Sequence, residues 1–129
     1  MTSYAKKDVS GRIGRSVTFT WNFSGGVDKV TWGLADKAGT NIDKELISLD
    51  VGSVDVLSPG SVPGAYRGRV NGTRTGDSSS GQASITLYNM SKDDERFYGC
   101  FLTPADPNFQ AITDFVQLVV VGMYLFRKL

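Results

Sequence analysis

Histidine is absent from the 129 residues, and cysteine occurs once, at Cys100. One cysteine excludes an intrachain disulfide. Without histidine, a zinc site of His and Cys ligands is excluded, and so are Ser-His-Asp and Cys-His catalysis. Net charge is almost missing as well: 14 Lys and Arg against 13 Asp and Glu leave +1 at pH 7. That balance exerts no pull toward nucleic acid or anionic membrane, and no basic stripe interleaved with aromatics offers a nucleic-acid surface. No EF-hand spacing and no phosphate-cradling glycine loop occurs. The inventory reads as a chain that is not an enzyme and takes no cofactor and no metal.

Long apolar runs are lacking too. Met1 to Lys7 holds nothing like the core of a signal peptide. The run from Leu118 to Phe126 is too short for a bilayer, which needs about 20 residues. Its first half reads as a last strand, and residues 122–129 as a tail without an assigned role. Any membrane attachment is expected from a downstream segment outside this sequence. No window holds a sustained helical period; one turn around Ser91 to Asp94 is the sole helical suggestion, with Ser91 as its cap.

What is present is strand pattern. Apolar residues make up 40% and charged residues 21%, so the chain is globular and of a length for one domain, placed at residues 1–121. Clusters of Gly, Pro, Asn, Asp and Ser punctuate it at 24–26, 37–40, 51–53, 58–64 and 71–81. Between them apolar residues alternate with polar ones. Val17, Phe19, Trp21 and Phe23 form one set, and Ile85 and Leu87 another. Tyr98, Cys100 and Leu102 share a face, as do Val116, Leu118 and Val120. A period of two with β-branched and aromatic residues marks strands with one buried face. The expected fold is all-β, a two-sheet antiparallel sandwich.

The segment Ala83 to Cys100 narrows this. Ile85, Leu87 and Met90, then Asp94, Tyr98 and Cys100, resemble the variable-type immunoglobulin domain, with Arg96 where that family usually has Gly or Ala. Tyr98, two residues before Cys100, stands at the tyrosine-corner position. Gly14 to Phe19 resembles the start of strand B, Val30 to Trp32 strand C with its tryptophan, and Gly68 to Val70 strand D. Glu45 to Leu49 falls where strand C′ belongs. The resemblance covers roughly residues 8–121. It implies a Greek-key sandwich of the variable type, a structural salt bridge between Arg69 and Asp94, and a protein of the cell surface or extracellular space. The Phe-Gly-x-Gly motif of antigen-receptor variable domains is absent; the chain has Asp114 to Leu118 instead, which argues against an antibody or T-cell-receptor chain.

The chain departs from that family where strand B should carry its cysteine. Trp21 stands there, so the inter-sheet bridge is replaced, and Trp21, Trp32 and the free thiol of Cys100 are expected to pin the sheets. The altered bridge and the Trp21-Asn-Phe-Ser24 strand are also similar to invertebrate recognition receptors, such as the allorecognition proteins of colonial hydroids. Three Asn-x-Ser/Thr motifs, at Asn22, Asn71 and Asn89, are possible N-glycosylation sites expected at strand ends or loops. They agree with a secretory protein, whereas the missing disulfide pulls toward a reducing compartment; the resemblance decides for the former.

In this family the sheet of strands G, F, C and C′ is the usual contact face. Alternation then places Thr31 and Gly33 outward on C, Phe101 and Thr103 on F, and Phe115, Gln117 and Val119 on G. Phe101, Phe115 and Val119 make an apolar patch unless the F–G loop or the tail folds over them. Phe109 in that proline-stiffened loop is either an anchor or a cap on the core. Asp36 to Asn41 reads as a solvated turn. The expected function is recognition or adhesion through a protein partner, a second copy of the chain among them. A glycan or small-ligand receptor, marked by a deep pocket near Phe109 and Asp106, and a structural spacer are the alternatives.

Overall fold

The computed structural model describes residues 2–5, 8–50, 53–56, 63–76 and 80–122. Beyond Gly122 the tail lies outside the described residues, as do the turn positions 51–52, 58–62 and 77–79. Along the described chain run β1 (Thr2–Ala5), β2 (Asp8–Arg12), β3 (Val17–Ser24), β4 (Val27–Ala35), β5 (Ile42–Asp50), β6 (Ser53–Val56), β7 (Val70–Gly76), β8 (Ser80–Leu87), β9 (Phe97–Pro104) and β10 (Ile112–Val121). Short 3-10 turns cover Gly64–Tyr66 and Lys92–Asp94.

The strands form two sheets, ordered β1-β3-β8-β7 and β2-β10-β9-β4-β5-β6. A hairpin of β5 and β6 added to the β10-β9-β4 sheet is the variable-type immunoglobulin arrangement. One pairing is not antiparallel, contrary to the sequence reading: β2 runs parallel to β10. The cause is a split first strand. Residues 2–5 pair with β3, and residues 8–12 cross to the other sheet and lie beside the last strand.

Alternation builds the core. Val17, Phe19, Trp21 and Phe23 of β3 are buried while Thr18, Asn22 and Ser24 are exposed. Trp21, Trp32, Tyr98 and Cys100 are fully buried in one cluster. The register partner of Trp21 on β8 is Ala83, whose small side chain leaves room for an indole. The ring contacts run through Phe19, which the proposed pin of Trp21, Trp32 and Cys100 left out. Its centroid lies 6.2 Å from Trp21, 5.3 Å from Trp32 and 5.3 Å from Tyr98. Trp32 and Tyr98 stack at 4.9 Å, with ring planes 4° apart. Burial pushes the Cys100 thiol well above its ordinary range, so it sits in this core as a neutral, inert group.

One end of the sandwich is closed by a charged corner. The Arg69 guanidinium bonds both oxygens of Asp94, Nη1 at 3.3 Å from Oδ1 and Nη2 in a closer contact with Oδ2. It also donates to the backbone carbonyls of Tyr88, Asn89 and Ala65. Asp94 is 3% exposed, and its Oδ2 accepts the Ser91 backbone N–H at 2.8 Å, which holds the 3-10 turn. The Tyr98 hydroxyl donates to the Asp94 carbonyl at 2.7 Å, so the buried phenol has its partner. At the other end Arg74 of β7 reaches across to the carbonyls of Val27 and Asp28 on β4.

A second difference concerns residues 71–81, read from composition as turn chemistry. Residues 71–76 are the bulk of β7 and 80–81 open β8. Pairing with β8 overrides the turn-forming residues, and Gly72 has a packing reason. A Cβ there would lie 3.3 Å from Ile47 Cδ1 and 3.4 Å from Leu49 Cδ2, side chains of the opposite sheet.

Trp21→Ala is expected to destabilise by about 3–5 kcal/mol, as for a fully buried aromatic truncation. Chemical denaturation measures it; an unchanged midpoint would place the indole outside the clamp. Arg69→Met leaves a buried carboxylate unpaired, at a cost of about 3 kcal/mol. The same titration should show a lowered midpoint at constant slope.

Candidate protein-binding face

The strands that bury Trp32, Tyr98 and Cys100 turn their alternate residues to the outer face of the six-stranded sheet. Register puts Thr31 between Ser48 and Phe101, and Phe101 beside Thr113. Gly99 is central to this face. A Cβ on it would lie 2.6 Å from Ile42 Cγ1 and 3.1 Å from Phe115 Cε1, so only a bare backbone lets those two side chains meet above β9. Ile42, Phe97, Phe101 and Phe115 are each half-buried. Together they form an apolar strip across three strands. Beside it lies a groove of about 280 Å³ bordered by Thr40, Asn41, Ile42, Glu45, Phe101 and Thr113.

The residues expected here differ in their placement. Phe101, Thr103 and Phe115 are half-buried on this face, and Gln117 is exposed. Val119 is 39% exposed and pairs with Ser10 of β2, which sets it at the far side of the sheet. Thr31 is a correction: it is 5% exposed. On a central strand, a short side chain flanked by neighbours on both sides becomes floor and not contact surface. Gly33 is buried as well, because register shifts near it bring the β5 backbone over it. Phe109 is 56% exposed, so it does not cap the core. Its loop is held by Ala105 N–H on the Gly26 carbonyl at 2.9 Å and by Asn108 N–H on Asp106 Oδ1 at 2.9 Å.

Ile42, Phe97 and Glu45 were missed. Residues 36–41 were read as a plain solvated turn, yet Thr40 and Asn41 at its end border the groove. Asp36 organises that turn: its oxygens accept the Thr40 backbone N–H and the Thr40 hydroxyl, each at 2.8 Å. The turn carbonyl of Asn41 accepts Asp36 N–H at 2.9 Å, and the turn settles on the Phe97 ring. The available signal was Asp36 followed four residues later by Thr40, a side-chain-closed turn.

A second cleft, of about 410 Å³, opens at the end of the same sheet among Asp36, Lys37, Asp93, Glu95 and Arg96. Several of its charges are already engaged. Arg96 donates to the Ala35 carbonyl at 2.7 Å. Glu95 accepts from Val120 N–H at 2.9 Å and from Lys92 at 3.0 Å, and these bonds hold its carboxyl below the usual range. Phe109 and Asp106 line neither this cleft, nor the groove, nor a third cleft between β2 and β3.

Asn22 lies within β3 and not at its end; it is exposed, and its Oδ1 accepts from Gln82 at 3.0 Å. Asn71 is exposed near the start of β7, and Asn89 is exposed in the turn after β8 with φ 54°.

The Thr40 bonds hold the Asp36 carboxyl down at about 2, below the usual carboxylate range. A depressed carboxyl stabilises the hydrogen-bonded turn above the ordinary value, and that contribution is lost as pH falls through the lowered one. The 36–41 turn is thus expected to stay ordered at pH 4 and loosen toward pH 2. A carboxyl NMR titration of Asp36 checks this; a midpoint near the ordinary value means the turn is not built on it.

By sequence, no family model and no curated protein matches the chain. By structure it is similar to murine CRIg, with TM-score 0.69 and 17% identity over 93% of this chain and 97% of that one. It is similar to a chicken TCR with TM-score 0.69 and 13% identity, over 94% of this chain and half of that one. Similarity extends to 1705 chains of known structure, so it identifies an architecture that many functions share. These likenesses give no support to the narrower resemblance to hydroid allorecognition proteins. The chain has the variable-type immunoglobulin fold.

Proposed function

We propose that this chain is an extracellular, cell-surface recognition module that binds another protein through the outer face of the six-stranded sheet and the 105–111 loop. The observation that carries the reading is the apolar strip of Ile42, Phe97, Phe101 and Phe115 around Gly99, bordered by polar side chains. Binding surfaces centre on aromatic anchors ringed by polar groups, and Thr40, Asn41, Glu45, Thr113 and Gln117 supply such a rim. Phe109, exposed on a loop stiffened by Pro104 and Pro107, adds an anchor with little ordering cost. A second copy of the chain is the first partner to test, since a two-fold contact needs only one such patch. The narrower role of allorecognition draws on the sequence resemblance alone.

Sedimentation across a wide concentration range tests this. A monomer–dimer equilibrium is expected, weakened at least tenfold (about 1.4 kcal/mol) by Phe101→Asp and by Phe109→Asp. Phe109→Asp should leave the melting temperature unchanged, which separates lost contact from lost fold. A strict monomer at every concentration rejects the second copy as partner. Undiminished association of both variants rejects the face.

A further inference from the structure

The outer face of the four-stranded sheet has a character of its own. Register sets three rows across β3, β8 and β7: Thr18–Thr86–Asn71, Thr20–Ser84–Thr73 and Asn22–Gln82–Thr75. Every side chain in these rows is a hydroxyl or an amide. Thr18 and Thr86 bond each other at 3.0 Å, and Gln82 bonds Asn22 at 3.0 Å. No aromatic and no charge lies in these three rows, and exposed Tyr88 follows just beyond the end of β8.

Two rows carry an Asn-x-Ser/Thr motif. Asn22 with Ser24 stands on the β3 side of the third row, and Asn71 with Thr73 on the β7 side of the first. Four residues along the strands and two strand spacings across them put these asparagines about 16 Å apart, at opposite corners of the grid. All four motif residues are exposed. In each asparagine the side-chain oxygen accepts a bond from the protein, Gln82 Nε2 at 3.0 Å for Asn22 and the Gly72 N–H at 2.9 Å for Asn71. The amide nitrogen is the atom a sugar would occupy. The third motif, at Asn89, sits off the rows in the turn after β8. The two remaining asparagines, Asn41 and Asn108, belong to the groove wall and the 105–111 loop, and neither has Ser or Thr two residues on. Two of the three motifs thus fall on the face of one sheet and the apolar strip on the other sheet.

We infer that Asn22 and Asn71 carry N-glycans that cover the outer face of the four-stranded sheet and confine protein contact to the six-stranded sheet. The inference rests on the extracellular reading, because the modification occurs in the secretory pathway. The donor is a lipid-diphosphate-linked oligosaccharide. The asparagine amide nitrogen attacks its anomeric carbon, the new C–N bond forms as the carbon–oxygen bond to diphosphate breaks, the lipid diphosphate leaves, and the nitrogen gives up one proton. The fold's part is to leave both side chains in solvent among short hydroxyl and amide neighbours.

The test is expression of the full chain behind a secretory leader in a eukaryotic cell, with site mapping by deglycosylation in heavy-oxygen water on both cell lysate and medium. Glycan is expected at Asn22 and Asn71. Ser24→Ala and Thr73→Ala should each remove one glycan, and Thr73→Ser should keep it. Self-association, or binding of any partner found, should be the same before and after enzymatic deglycosylation. Bare asparagines at both positions in secreted chain overturn the inference and leave the extracellular reading standing. Glycans that block association overturn the confinement to the opposite sheet. Glycosylated chain that binds nothing supports the modification and counts against the recognition reading instead.

Discussion

The two sheets are joined by buried aromatic surface, with Phe19 of one sheet set against Trp32 and Tyr98 of the other. Other domains of this architecture place a sulfur–sulfur link at this point, and removing such a link costs about 2–5 kcal/mol. Burying an indole removes roughly 150–250 Å² from water, worth about 4–6 kcal/mol at the usual coefficient. The Trp21 and Trp32 N–H groups find no partner in the structure. An unmet donor costs about 1–3 kcal/mol, less than the area returns. Burial therefore wins, and an aromatic clamp is an adequate substitute for the bridge.

That clamp fixes the middle of the sandwich, and charged groups fix its ends. Arg69, Asp94 and Tyr98 close one end through side-chain and backbone bonds, and Arg74 ties β7 to β4 at the other. The result bears on function because strands alternate. The residues that lock the core, Trp32, Tyr98 and Cys100, are interleaved with Thr31, Gly99 and Phe101 on the outer face. A rigid core thus sets the positions of the outer side chains, and little conformational entropy remains to be lost when a partner docks.

The two outer faces solve different problems. On the six-stranded sheet, glycine at 99 removes a side chain from the centre so that Ile42 and Phe115 close over it and leave an apolar strip beside a groove. On the four-stranded sheet, short hydroxyl and amide side chains of β3 and β8 bond one another across strands. The apolar strip with its groove lies on one sheet only, an asymmetry expected of a module that meets its partner from a single direction.

The core was legible from the sequence alone. Period-two alternation at 17–23, 98–102 and 116–120 is a local consequence of strand geometry, so the buried set followed from it. The corner at Arg69, Asp94 and Tyr98 followed from resemblance. Residues 71–76 were not legible, because glycine and asparagine there carry a turn signal that only pairing with β8 overrides. Alternation named a direction for Thr31 but not its exposure, which depends on the neighbours Ser48 and Phe101 and so on register. The parallel β2, the groove wall at 40–41 and the meeting of Ile42 with Phe115 likewise join residues distant in sequence. Local periodicity decided which side of each strand is inside; tertiary register alone decided what surrounds each residue on the outside, because exposure is a property of neighbours that the chain order does not contain.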